Sequence, residues 1–212
     1  MNTVDRFALL RSLGTSIYNE TMTRCLLDHS AYVQVLEKIY QWTYQDHLLP
    51  TSEEESTFAV EGNAGMGVRI AVFARGNYAM LNLGRFALVR LRNYDPQPCD
   101  AVYQPHFEYL NVRLAGGSTG LYVQSDRKEE AYRFFEYLAS EDYSKLIVET
   151  GDGLPLQPAF LDQEEFLKPP EFPNEWPVHE VYAEAIREYS VSRARSPFIL
   201  QQVANRIEMN NF

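Results

Sequence analysis

The run Phe73-Ala74-Arg75-Gly76-Asn77-Tyr78-Ala79-Met80, followed by Gly84-Arg85-Phe86-Ala87-Leu88, constrains this chain more than any other segment. It reads as a helix stopped at Gly76, a short apolar strand, and a glycine turn that sets one aromatic ring at the mouth of a new helix. Gly76 suits a helix C-cap, where a residue without Cβ takes positive φ. Gly84 permits close backbone approach beside the free N–H groups of a helix start. Phe86 then sits at a lip, a placement better suited to a flat apolar ligand face than to catalysis.

Composition narrows the class of protein. With 212 residues, 45% hydrophobic and 13% aromatic, the chain can bury a sizeable core. The formal charge of −10 argues against nucleic acid, which needs clustered Lys and Arg. Arg187, Arg193 and Arg195 lie close in sequence, but Glu184 and Glu188 dilute them into a solvated helix face. No apolar run reaches the roughly 20 residues needed to span a bilayer. Met1 to Arg6 lacks the basic and apolar regions of a signal peptide, so the chain is expected to start inside a longer protein. Cys25 and Cys99 fit no zinc spacing and read as two separate, partly buried thiols, with a disulfide as the alternative. Asn19-Glu20-Thr21 matches a glycosylation sequon, a pattern common by chance.

Along the chain, Phe7 to Leu13 predicts a helix ending at Gly14, then a surface loop or hairpin over Thr15–Thr23. Ser30 is placed to cap the next helix. Val33, Leu36, Ile39, Tyr40, Thr43 and His47 predict its buried stripe, and Leu49-Pro50 its end. Ser52-Glu53-Glu54-Glu55 predicts another helix start, with carboxylates at the positive end of the dipole. Gly62, Gly65 and Gly67 predict a loop, without the Lys-Ser/Thr of a phosphate-binding loop. Asp100–Tyr103 and Tyr109–Ala115 read as strands. Helices are expected over Lys128–Ser140 (one face Ala131, Phe134, Phe135 and Leu138), Tyr143–Glu149, Val178–Tyr189 and Phe198–Met209. The proline-rich stretch Leu154–Pro177 reads as an ordered crossover.

The order of these pieces carries a resemblance. Phe73, Gly76, Ala79 and Met80, then Gly84 and Phe86, then Gly116-Gly117-Ser118-Thr119-Gly120, Ser125 to Leu138, and Gly151-Asp152-Gly153-Leu154-Pro155 resemble the C-terminal half of extracellular solute-binding proteins of carbohydrate ABC importers, the maltose-binding-protein-like group. The match covers about Leu9 to Phe198 and departs at Phe86, where that pattern most often has Trp. The resemblance implies an α/β, periplasmic-binding-protein-like class II fold, mainly the second lobe plus the segment returning to the first, with the N-terminal lobe largely absent. Residues 1–113 would be second-lobe, 114–160 the first-lobe return, and 161–212 the crossover and last helices of the second lobe. The helix face of Ala131, Phe134, Phe135 and Leu138 would then lack its sheet and invite self-association.

The resemblance also implies function: reversible binding of a sugar or oligosaccharide between two lobes, then delivery to ABC permease membrane subunits, in the periplasm or outside the cell at the membrane. No cofactor or metal follows from it. Phe86 matches the position whose ring stacks on a sugar; the alternative is a core phenylalanine. Gly116, Gly117 and Ser118 match a ligand-facing turn; the alternative is an ordinary strand-to-strand turn. Phe198 lies near a second stacking position, with core packing as its alternative. Arg85 and Arg195 suit a polar clamp, although solvated surface is the commoner place for arginine. Catalysis finds no constellation. Glu53, Glu54, Glu55, Glu164 and Glu165 are not set across one cleft by their spacing, His29, His47, His106 and His179 show no metal-ligand pair, and Ser118 lacks a nucleophile elbow. A non-transport interaction protein that uses the same fold remnant is the alternative of a different class.

Overall fold

In a computed structural model, residues 4–57, 66–94, 99–116 and 119–192 are described. They form a mixed, mainly helical structure with one small two-stranded parallel sheet, α/β in the broad sense. Two compact units divide the chain: residues 1–57, 104–115 and 189–212 in one, and 58–103 and 116–188 in the other.

The first unit grows from α1 (Arg6–Ser12). Asp5 caps it, its Oδ1 accepting from the Phe7 and Ala8 amides at 3.0 and 3.2 Å, and Gly14 ends it at φ 73°. Helix α2 (Ser30–Tyr40) packs on α1 through Leu9, Leu10, Tyr32, Val35 and Ile39. Strands β1 (Val112–Leu114) and β2 (Ser190–Ser192) pair in parallel, Arg113 opposite Val191. Asn111 and Ser12 tie β1's approach to α1: Asn111 Nδ2 donates to the Ala8 carbonyl at 3.0 Å, and the Phe107 amide donates to Ser12 Oγ at 3.0 Å.

Local expectations in this unit are corrected at α2. His29, not Ser30, caps the helix, its Nδ1 accepting from the Ala31 amide. The buried stripe is Tyr32, Val35 and Ile39, while Val33 and Tyr40 are 47% and 57% exposed. Both stripes obey the same three- and four-residue spacing, so periodicity cannot choose between them. The helix ends in a π turn over Gln41–Gln45, which resets the register and leaves His47 exposed at φ 51°. In the Thr15–Thr23 loop, Asn19 of the sequon commits its whole amide to local bonds. Its Nδ2 donates to the Thr21 and Thr23 hydroxyls, and its Oδ1 accepts from the Thr23 and Arg24 amides. Helix α3 (Ser52–Thr57) starts where expected, and Thr51 and Glu54 form a reciprocal capping box.

The second unit contains α4 (Met66–Ala74), α5 (Ala87–Leu91), α6 (Lys128–Leu138), α7 (Glu141–Thr150), α8 (Glu164–Leu167) and α9 (Trp176–Tyr189). Gly67, expected in a loop, instead lies in the first turn of α4. Gly76 follows that helix at φ 76°. The strand expected after it does not form, nor does one at Asp100–Tyr103; both stretches are irregular, because a strand exists only where a neighbour offers a hydrogen-bond ladder. Only three residues of the expected Tyr109–Ala115 strand pair. Ser140 caps α7 and Gly151 closes it in the left-handed conformation. The proline-rich crossover is ordered, with 3-10 turns at Pro158–Asp162 and Pro173–Glu175, each started by a proline. It packs Phe160, Leu161 and Phe166 against Val148 and Ala183 as the unit's core. Gly62 and Gly65 of the expected glycine loop, and the expected last helix over Phe198–Met209, lie outside the described residues.

Candidate functional site

Phe86 is the N-cap of α5 and is half-buried. Its ring lies against Gly84, where a Cβ would meet Phe86 Cε1 at 2.9 Å. The close approach expected at Gly84 is therefore made by the ring two residues on. Gly84 has no positive φ, so this contact alone, not backbone geometry, calls for glycine.

Arg85 corrects the solvated-surface reading: it is only 2% exposed. Its Nη1 donates to the Gly153 carbonyl at 2.6 Å and its Nε to His179 Nδ1 at 3.1 Å. The guanidinium stacks 4.3 Å from the centroid of the Phe166 ring. Its Nη2 is buried without a partner among the described residues. Burial, reinforced by the nearby charge of Arg92, lowers this guanidinium to about 10, with Glu175, Tyr182 and Asp152 pulling the other way. Arg85 thus stays charged at neutral pH, turned inward and engaged with three other segments of the unit.

The same cluster continues through residues the sequence reading set aside. His179 is completely buried, and its Nε2 lies 3.4 Å from Glu175 Oε2, an ion-pair distance without hydrogen-bond geometry. Glu175 receives Arg92 as a fork, Nε to Oε1 at 2.8 Å and Nη2 to Oε2 at 2.7 Å. Arg92 Nη1 also donates to the Thr150 carbonyl, and its guanidinium lies over the Phe172 ring. Desolvation pushes the Glu175 carboxyl up, but the forked hydrogen bonds and charge of Arg92, with His179 pulling the same way, outweigh it and hold the group at about 2. Tyr182 donates its hydroxyl to the Leu83 carbonyl, and burial raises that phenol to about 12 against the opposing pull of Arg85. The result is a chain, Arg85–His179–Glu175–Arg92, that fastens both ends of α5.

Sequence reasoning missed His179, Glu175 and Arg92 as partners. The one available signal was spacing: Glu175 and His179 stand four apart at a helix start, and Arg85 and Arg92 seven apart around α5. Of the remaining expected ligand residues, Gly116 is exposed, has no positive φ, and a Cβ there would touch nothing within 4 Å. Gly117, Ser118, Phe198 and Arg195 lie outside the described residues. Arg85 and Phe86 are therefore the two expected residues that the structure brings into one feature. Cys25 and Cys99 are free, half-buried thiols, and burial, then Glu175 and Asp100, raises Cys99. Among the described residues no helix is long and apolar enough to cross a membrane, and no three His, Cys, Asp or Glu gather as a metal requires. Compared with protein-family models, curated proteins and solved structures, the chain gives no match.

Proposed function

We propose that this chain is a non-catalytic binding protein of the kind its motifs resemble: a class II periplasmic-binding-protein-like component of an ABC importer. It would grip a sugar or oligosaccharide between lobes and pass it to membrane permease subunits, outside the cytoplasmic membrane. The observation that carries this reading is Phe86, an aromatic ring half open at the start of α5, seated on Gly84 and next to an arginine immobilised by burial. A pyranose offers an apolar C–H face that such a ring covers without competing for its hydroxyls. Closure on the ligand needs no chemistry, because the closed form alone makes both sets of contacts.

Saturation-transfer NMR with a panel of mono- and disaccharides tests this, since it registers binding too weak for calorimetry. Transfer to sugar C–H protons is expected in the native chain, lost in Phe86→Ala and kept in Phe86→Trp. Absence of transfer for every sugar, or transfer indifferent to Phe86→Ala, refutes the reading.

A second reading, an interaction protein that uses the same fold, is favoured by α6. No residue of this eleven-residue helix is buried, and Tyr132, Phe134 and Tyr137 are exposed along it. Each large side chain left in water forgoes roughly 1.5–3 kcal/mol that a covering surface would recover. A stoichiometric partner on this face that is not a permease would favour the second reading over the first.

A further inference from the structure

Helix α6 is too short to hold by itself. Its eleven residues fall below the roughly 12–15 that an isolated helix needs in water. It meets α7, yet its inner face of Ala131, Phe135 and Leu138 is only half-buried. Phe134, expected on that face, is exposed instead. The outer face carries an ordered stripe. Glu130, Arg133, Phe134 and Tyr137 stand at i, i+3, i+4 and i+7, all exposed, and so share one side of the helix. An edge contact with Tyr143, ring centroids 5.6 Å apart, fixes the Tyr137 ring in place. The Tyr137 hydroxyl and the Arg133 guanidinium have no hydrogen-bond partner among the described residues. Glu130 meets the exposed Arg127 at 3.2 Å through one of its oxygens.

Reversed end for end, this stripe complements itself. A two-fold axis midway between Arg133 and Phe134 sets Glu130 opposite the partner's Tyr137 and Arg133 opposite the partner's Phe134. A carboxylate then accepts from a phenol, and a guanidinium lies over an aromatic face; the symmetry makes each contact twice. No like charges on the stripe oppose each other. Other occupants fit less well. Glu130 and Arg133 stand side by side, so a partner of single sign meets a like charge. Across the helix, Lys128 and Arg133 stand against Glu129, Glu130 and Glu136, without the basic excess that an anionic membrane surface requires.

We infer that α6 is a two-fold self-pairing surface whose occupant is a second copy of this chain. The inference rests on and deepens the interaction reading above, and it does not involve Phe86. The pair is weak and reversible: its four half-exposed rings cover roughly 400 Å², against about 1,200 Å² for a stable interface. Each copy also carries a formal charge of −10, so the pair is favoured at about 0.15 M salt, where screening cuts that repulsion.

Sedimentation velocity of the whole chain from about 10 µM to about 1 mM is the assay. The native sedimentation coefficient is expected to rise with concentration toward that of a dimer. Phe134→Arg sets guanidinium against guanidinium across the axis, and this variant is expected to stay monomeric. Adding Arg133→Phe exchanges the two members of each contact and is expected to restore the association. A native chain that stays monomeric, a Phe134→Arg chain that associates like the native one, or a double variant no better than the single each overturns the inference. Should a variant not fold, concentration-dependent amide shifts of the native chain decide. Changes centred on Glu130 to Tyr137 support the pairing; changes elsewhere, or none, overturn it. A monomeric native chain that binds a different protein through α6 sinks self-pairing alone and leaves the interaction reading standing. Saturation transfer from sugar should be the same in Phe134→Arg as in the native chain, so the sugar reading stands or falls separately.

Discussion

Replacing Glu175 by Gln tests the energetics of the buried chain most directly. The carboxylate is 9% exposed and Arg92 16%, so solvent screens the pair little. Moving a carboxyl from its ordinary 4.5 to about 2 corresponds to roughly 3 kcal/mol of pH-dependent stability. The sign follows from proton counts. Between about pH 4.5 and 2 the unfolded chain binds a proton at this group that the folded chain refuses, so acid favours unfolding. The contribution is complete above the unfolded value and is lost as pH falls through the folded one. Gln keeps the shape but leaves the Arg92 charge buried without a counter-charge, a change that typically costs about 3–5 kcal/mol. Urea denaturation of native chain and variant from pH 7 to pH 3 is the assay. A deficit of about 3 kcal/mol at pH 7 that narrows below pH 4.5 is expected. Equal stabilities at pH 7, or a deficit that does not change with pH, would refute the assignment of Glu175 as a carboxylate fastened by Arg92.

Three further outcomes follow from single contacts. Gly151→Ala should destabilise the second unit by at least about 1–2 kcal/mol, because the site has φ 70° and the new Cβ would meet Arg92 Nη2 at 2.6 Å; thermal unfolding checks it, and a silent substitution contradicts it. Gly84→Ala should displace the Phe86 ring, seen as a changed Phe86 ring shift in NMR with the α5 amides still protected, since the added Cβ would lie 2.9 Å from Phe86 Cε1. Phe134→Ser should change stability by no more than about 0.5 kcal/mol, since Phe134 is 52% exposed, yet reduce any concentration-dependent association in sedimentation velocity; a large loss of stability would place Phe134 in a core instead.

The buried polar chain is more than a stabilising feature. Arg85 is a charge held in a dry site by one imidazole, one carbonyl and one aromatic face, without a carboxylate of its own. A guanidinium lowered by burial works against folding at every pH below its own value, so Arg85 is tolerated, not favoured, on energetic grounds. What it supplies is position. It locks the turn before α5 to the Gly153 loop and to α9, and Phe86 inherits that rigidity as the next residue in the chain.

The sequence alone determined the punctuation of this protein. Gly14, Gly76 and Gly151 adopt the positive φ that their helix ends require, and prolines start both 3-10 turns of the crossover. These are contests within a few residues, where the absence of a Cβ or of an N–H decides the outcome whatever lies beyond. Tertiary structure alone decided which of two equally spaced stripes of α2 faces inward, which apolar segments found a strand partner, and that Arg85 turns away from solvent. Those outcomes depend on groups about 70 to 100 positions away in the chain, such as Gly153 and His179 for Arg85, and a local pattern of residue types carries no record of what will be packed against it.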